Sequence, residues 1–251
     1  MPVWLEAAFW GLLSGSALVI GAAIGYFARL SDALVAAIMA FGAGVLLSAL
    51  SFELMLESAA RGGLAPAVGG FLLGALLYAG ANALLARHGA RHRKRSRQPE
   101  QADAGALAQS GTAIALGALL DGLPESAALG ASMLDGHEIG IVLVVALFLS
   151  NLPEGLSSAA GMKRRGHGKA YVFGVWGGIA ILSALAAAAG AGLLGHLSAE
   201  AVSVTIAVAA GAILVMLIDT MLPEAFAEMR SFTAPLAVAG FVLAFVLGRL
   251  T

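Results

Sequence analysis

The sequence predicts an all-α membrane protein with eight transmembrane helices. Two facts of composition favour this fold class, since apolar residues make up 60% of the chain and charged residues only 12%. An ordinary soluble domain has about 45–50% apolar and about 25% charged residues. The third observation is that the apolar residues form long runs, as helical spans require, whereas the strands of a membrane barrel show short alternating segments.

The apolar runs divide the chain into eight predicted spans, which form one polytopic membrane domain over residues 1–251. Each run is long enough to cross the hydrocarbon core of a bilayer as a helix. The first run lacks the basic start of a cleavable signal peptide, so we expect it to remain as a span. The spans are predicted at 4–27, 33–57, 64–86, 109–134, 138–162, 170–194, 200–226 and 233–250.

A basic segment separates the third span from the fourth and is predicted to be a cytoplasmic loop over 87–108. Cytoplasmic loops of membrane proteins retain Lys and Arg. With both termini outside, twelve of the 14 basic residues fall on the cytoplasmic side, and only Arg61 and Arg249 fall outside. We therefore expect a multi-pass protein of the inner (plasma) membrane with both ends outside.

The composition also excludes several classes of function. The chain has no cysteine, so it has no disulfide framework, thiolate metal site or thiol nucleophile. Its net charge of −1 and its short basic runs provide no extended surface for nucleic acid. We expect the lipid bilayer as its environment, no nucleic-acid partner and no prosthetic group, with a homodimer left open as its oligomeric state.

Spans two and seven share a pattern at a constant separation, in which Gly44 and Glu57 correspond to Gly211 and Glu224. Spans three and eight match more loosely. Because the matched spans run in opposite directions, the pattern is typical of the inverted repeats of secondary transporters. Chance similarity between helices with the same small alphabet is the alternative. With the repeat, the predicted architecture is a 3+2+3 arrangement of helices.

Glycine pairs at a spacing of four residues predict places where two helices pack closely. Such pairs occur at Gly11 and Gly15 and at Gly21 and Gly25 in span one, at Gly70 and Gly74 in span three, and at Gly174 and Gly178 in span six. They are not phosphate-binding loops, because no Gly-Lys-Ser/Thr follows them.

A Leu-Pro-Glu triplet occurs three times within the predicted spans and ends at Glu125, Glu154 and Glu224. Proline leaves a carbonyl of the preceding turn without its helical partner. A carboxylate beside that carbonyl adds the oxygen ligands that hard cations prefer. An ionised side chain at the bilayer centre costs about 2.5–3.5 kcal/mol on insertion scales, so it normally faces the bundle interior. The triplets therefore predict a cation site between the spans.

Further polar residues lie on the same faces of these spans at helical spacing. No Lys or Arg is predicted at the same depth, so we expect the acids to be protonated, hydrogen-bonded or bound to a mobile cation. For Ser150 and Thr220, a hydrogen bond back to their own helix is the competing interpretation. The candidate metal ligands are Glu53, Asp121, Glu125, Ser150, Asn151, Glu154, Asp219 and Glu224.

The chain resembles the ZIP (Zrt/Irt-like) family of divalent-metal transporters over most of its length. The likeness rests on the eight spans with both ends outside, on the basic loop after span three, and on Asp121-Gly-Leu-Pro-Glu125-Ser, Asn151-Leu-Pro-Glu154-Gly and Asp219-Thr-Met-Leu-Pro-Glu in spans four, five and seven. The family has His-Asn-x-Pro-Glu-Gly in span four and His/Gln-Asp/Glu-x-Pro-Glu-Gly in span five. The resemblance implies metal-ligand roles for Glu125 and Glu154.

Several positions depart from that family pattern. Asp121 stands in place of the histidine and Gly122 in place of the asparagine, while Ser150 and Asn151 occupy the two polar positions of the span-five motif. Span six has no acid where the family often has a glutamate. These changes leave at most one well-formed site.

The resemblance implies transport of a divalent metal from outside into the cytoplasm, with zinc expected first. Oxygen ligands of this kind also suit manganese, iron, magnesium or calcium. The metal is expected to bind Asp121, Glu125, Asn151 and Glu154 near the midplane and to leave past the acids of span seven.

Two other functions compete with the carrier. One is a metal-binding sensor or scaffold that keeps the fold with a decayed transport site. The other is an intramembrane aspartyl hydrolase that uses Asp121 and Asp219, but the Gly-x-Gly-Asp context of such enzymes is missing, as is any His-Glu-x-x-His set. We therefore expect a transporter with no catalytic residues and not an enzyme.

Overall fold

The computed structural model describes residues 1–28, 30–85, 104–134 and 141–250. These residues form eight long helices and no strand, and each helix coincides with one predicted span. The prediction of an all-helical membrane protein is therefore confirmed. The helices are α1 (Val3–Phe27), α2 (Asp32–Gly62), α3 (Leu64–Leu85), α4 (Ala104–Ser132), α5 (Ile141–Arg164), α6 (Lys169–Leu194), α7 (Ala199–Met229) and α8 (Thr233–Leu250).

Seven of these helices, all except α4, are long and apolar enough over the described residues to cross a membrane. The remaining helix, α4, has 29 residues. It begins at Ala104, so the last part of the loop predicted at 87–108 is helical, while residues 87–103 lie outside the described part of the chain. The apolar stretch from Ala104 explains the difference, because it continues the helix of the fourth span toward the basic segment.

The helices pack as two groups of four. In the first bundle, α1 lies against α5 and α6, and α6 also packs on α4. In the second bundle, α2 packs on α8 and α7, and α7 packs on α3. The two bundles meet mainly where α2 contacts α5 and where α4 contacts α7. The central helices α4 and α5 therefore lie along the seam between the bundles.

Glycine allows the closest approaches between helices of the second bundle. A Cβ atom built on Gly74 of α3 would overlap the backbone carbonyl of Val208 in α7, and one on Gly44 of α2 would overlap the carbonyl of Ala237 in α8. The packing predicted for Gly70 and Gly74 is therefore confirmed.

The prediction for the glycine pair of α6 is wrong. No described atom lies within 4 Å of a Cβ placed on Gly174 or Gly178. The physical reason is that this face of α6 turns away from the helices that α6 packs on in the first bundle.

Both long helices of the second bundle contain one turn of π-helix, at Leu50–Leu54 in α2 and at Leu217–Met221 in α7. The two turns are separated along the chain by the same number of residues as Gly44 and Gly211. A π turn closes hydrogen bonds over five residues instead of four and is frequent at functional sites. Residues four positions apart across these π turns therefore do not lie on one face of α2 or α7.

Hydroxyl groups accompany both π turns. Ser51 Oγ donates to the Leu47 carbonyl at 2.7 Å, and Thr220 Oγ1 donates to the Met216 carbonyl at 2.6 Å. Such bonds back to the preceding turn compete with the backbone ladder and loosen a helix. In α7 the following Pro223 has no N–H to offer. The interpretation of Thr220 as bonded to its own helix is confirmed.

Candidate metal centre

The central helices each run through an internal proline, Pro124 in α4 and Pro153 in α5. Pro153 has no N–H to donate to the carbonyl of Leu149 in the preceding turn. A Cβ atom on Gly42 of α2 would lie 2.9 Å from that carbonyl oxygen. The carbonyl that the proline releases therefore faces α2 across the seam between the two bundles.

Three of the predicted acids are buried by the protein itself. Asp121, Glu125 and Glu154 are exposed by 3%, 3% and 7% respectively. Other parts of the protein, and not lipid, therefore cover these carboxylates. Their inward orientation matches the prediction for ionisable groups at membrane depth.

Asp121 accepts a hydrogen bond from the phenol of Tyr78, which lies on α3 in the second bundle. Tyr78 is itself buried, with 2% of its surface exposed. A buried tyrosine hydroxyl needs a hydrogen-bond partner, and a carboxylate is a strong acceptor. The bond therefore joins a candidate ligand of the first bundle to a fixed group of the second.

The polar residues of α5 are buried beside Glu154 but are engaged with backbone carbonyls. Asn151 Nδ2 donates to the carbonyl of Ser14 in α1 at 3.1 Å. Ser150 Oγ donates to the Leu147 carbonyl of its own helix at 3.0 Å, as the competing interpretation predicted. Each side chain still carries an oxygen with acceptor capacity.

The remaining predicted ligands are less buried than this set. Asp219 is exposed and accepts a hydrogen bond at 3.3 Å from Asn82 Nδ2 of α3. Glu53 and Glu224 are partly buried. A Cβ atom on Gly248 of α8 would lie 3.0 Å from Glu53 Oε1, so this carboxylate lies against the end of α8.

Across the described residues, no three His, Asp or Glu side chains lie close enough to hold one metal ion together. The eight predicted ligands are therefore not gathered around one point. The buried residues Asp121, Glu125, Asn151 and Glu154 are called the buried set below. A cation bound there would combine at most two carboxylates with other oxygens, such as those of Asn151, backbone carbonyls or water. Which of the predicted residues act as ligands stays a prediction.

Tyr78 and Asn82 are the polar partners that the sequence analysis missed. They lie four residues apart on α3, so they share one face of that helix, and they reach two predicted ligands on two different helices. The sequence signal that could have identified them is the presence of two polar side chains four residues apart in the otherwise apolar third span.

Glu57 of α2 is paired with a basic residue, contrary to the expectation that salt bridges are absent. Arg61 Nη2 lies 2.8 Å from Glu57 Oε1, and it also donates to the Leu134 carbonyl at the end of α4 at 3.1 Å. The predicted span ended at residue 57, whereas α2 continues to Gly62. The extra helical turn brings Arg61 one turn above Glu57, where the two charges meet.

A cavity of about 370 Å³ opens between α1, α2 and α5. Asp32, Lys163 and Arg164 lie around it, and Ser157 lines it one helical turn along α5 from Glu154. Just beyond this end of α5, burial and the neighbouring charge of Arg164 lower the pKa of the Arg165 guanidinium. The cavity thus leads from a charged end of the helices to within one turn of a buried candidate ligand.

No family model matches this sequence, and no curated protein is significantly similar to it.

The chemistry of the buried set follows from its donor atoms. Asp121, Glu125, Asn151 and Glu154 present only oxygen acceptors, and the chain has no cysteine. Oxygen donors suit hard divalent cations, whereas sites selective for soft ions use sulfur. The donor atoms of these residues therefore favour a hard cation over a soft one.

Proposed function

We propose that the protein carries a divalent metal cation across the membrane through the seam between its two helix bundles. The observation that carries this proposal is the burial of Asp121, Glu125 and Glu154 within the central helices. Ionisable residues within membrane spans face the bundle interior and mark pathways for ions or substrates. Carboxylate oxygens are also the ligands that hard divalent cations prefer.

The proposed substrate is zinc, because the resemblance to the ZIP family rests on the Pro-Glu motifs of α4 and α5. The oxygen-only donor set also accommodates manganese, iron, magnesium or calcium. The proposed direction is from outside into the cytoplasm of a cell whose inner membrane holds the protein with both termini outside, as the distribution of Lys and Arg predicts.

The proposed architecture is a 3+2+3 arrangement in which α1–α3 and α6–α8 form an inverted repeat around α4 and α5. What supports it is that the π turns of α2 and α7 follow the separation of the Gly44 and Gly211 match. The packing partners correspond as well, since α2 packs on α8 as α7 packs on α3, and α1 packs on α5 as α6 packs on α4. Such repeats place substrate sites where the two halves meet.

A second candidate function is a metal-binding sensor or scaffold with a decayed transport site. The absence of any group of three His, Asp or Glu side chains around one point, in the part of the chain that is described, favours it. The lack of an acid in α6, where the family often has a glutamate, points the same way. Such a protein binds the ion and does not move it.

Reconstituted protein is expected to take up Zn²⁺ or Mn²⁺ into liposomes with saturable kinetics, because a built site fills at high ion concentration. The measurement is ion influx with an entrapped fluorescent indicator, with Mg²⁺ and Ca²⁺ tested in parallel. Protein-free liposomes with the same lipids serve as the control. Binding in detergent without influx supports the sensor, and neither binding nor influx of any of the four ions contradicts both candidates.

A further inference from the structure

Helix α3 presents two hydrogen-bond donors to acids of two other helices. Tyr78 donates to Asp121 of α4, and Asn82 donates to Asp219 of α7. The two bonds differ in their surroundings. The first is buried on both sides, with 2% of Tyr78 and 3% of Asp121 exposed, whereas the second lies in an exposed region. The protein itself therefore shields the bond of Tyr78 but not the bond of Asn82.

The buried bond crosses the seam between the two bundles. Tyr78 is held by the second bundle, where α3 packs against α7, whereas Asp121 belongs to the first bundle, where α4 packs against α6. Tyr78 is part of a hydrophobic core that also contains residues of α2, α4, α5 and α7. Packing of the Tyr78 ring in this core therefore sets the position of its hydroxyl.

A carboxylate has two oxygens and about four acceptor sites. One phenol donor on one oxygen leaves capacity for a cation while it restricts rotation of the carboxylate. Metal ligands are commonly oriented by such hydrogen bonds from outside the coordination sphere, and loss of one typically costs about 10–100-fold in metal affinity or activity.

We propose that Tyr78 is a positioning residue, whose hydroxyl orients the Asp121 carboxylate toward a divalent cation held between α4 and α5. This inference rests on the proposed function, because it takes Asp121 as a ligand. The phenol does not touch the ion. It acts by holding Asp121 in the orientation that binds, so its loss lowers affinity and leaves the rate at saturation unchanged.

The test is Tyr78→Phe, which removes one hydroxyl and keeps the ring that packs in the core. In proteoliposomes loaded with a Zn²⁺ or Mn²⁺ indicator, the KM for uptake is expected to rise about tenfold, with Vmax within about twofold of the parent. The matched control is Tyr26→Phe, because Tyr26 lies on α1 and its hydroxyl is 3.5 Å from the His167 carbonyl. Its KM is expected to equal that of the parent.

A double-mutant cycle separates positioning from a general effect on the fold. If Tyr78 acts through Asp121, adding Tyr78→Phe to Asp121→Ala changes the KM no further. Independent, additive effects of the two substitutions overturn the inference. A Tyr78→Phe variant with an unchanged KM also overturns the inference. A variant that keeps its KM but loses Vmax and thermal stability overturns it as well.

Direct binding keeps this result distinct from a failure of the proposed function. Calorimetric titration of detergent-purified protein with Zn²⁺ and with Mn²⁺ measures affinity whether or not the protein moves the ion. Weaker binding by Tyr78→Phe and not by Tyr26→Phe supports the positioning role even when the parent shows no influx. A parent that binds neither ion overturns the inference together with the carrier.

Discussion

Replacing Glu154 by Gln is expected to lower uptake of Zn²⁺ or Mn²⁺ at least about a hundredfold at limiting ion concentration, with Glu125→Gln giving a similar loss. Loss of a group that only orients a metal ligand typically costs about 10–100-fold in metal affinity or activity. A direct ligand contributes more, because the amide of Gln has no charge to offer a divalent ion. The measurement is initial uptake rate against ion concentration in proteoliposomes.

The same substitutions are expected to leave thermal stability unchanged or to raise it. Gln keeps the volume of Glu and most of its hydrogen-bonding capacity, and it removes a charge whose burial is unfavourable. A loss of uptake together with a loss of stability therefore contradicts a ligand role and indicates that the glutamate is structural.

The matched control is Glu228→Gln on α7, since Glu228 is exposed in the structure. This variant removes the same charge without touching the buried set, so uptake is expected to equal that of the parent. Equal losses of uptake in Glu228→Gln and Glu154→Gln contradict a specific site, because both variants share only the removal of one negative charge.

Adding a single methyl group at Gly74 is expected to destabilise the second bundle by about 1–3 kcal/mol, the usual range for overpacking. The Cβ atom of Gly74→Ala meets the carbonyl of Val208. A backbone oxygen within a helix has no rotamer through which to retreat, so α3 and α7 must separate. The measurement is unfolding in mixed micelles with increasing SDS, followed by circular dichroism.

Gly69→Ala is the control for the same helix, because no described atom lies within 4 Å of a Cβ placed on Gly69. Ala is a better helix former than Gly by up to about 1 kcal/mol, so this variant is expected to be as stable as the parent or more stable. A Gly74→Ala variant that matches Gly69→Ala in stability contradicts the close approach of α3 and α7.

The positions of the helices were predictable because the membrane leaves the chain few choices. Backbone groups in lipid must be satisfied within their own segment, so a long apolar run becomes a helix. Span and helix agree within two residues at both ends of α6, for example, which was predicted at 170–194 and runs over Lys169–Leu194. The burial of Asp121, Glu125 and Glu154 was predictable for the same reason, since lipid excludes charge.

Features that depend on a second helix were not predictable from local pattern. A pair of glycines predicts a flat helix face but does not show whether another helix covers that face. Gly74 packs closely on α7, whereas no described atom lies within 4 Å of a Cβ placed on Gly174. The π turns also escaped prediction, because hydroxyl side chains such as those of Ser51 and Thr220 occur equally in regular helices.

What the sequence by itself determined is the number and approximate position of the helices, because lipid excludes polar backbone groups and turns each long apolar run into a helix. It also contains the three acids that directly follow a proline, Glu125, Glu154 and Glu224. What only the tertiary structure decided is the partner of each polar group. The bond of Tyr78 to Asp121 joins residues 43 positions apart, and the choice of partner depends on how two bundles meet. No periodicity within one helix carries that information.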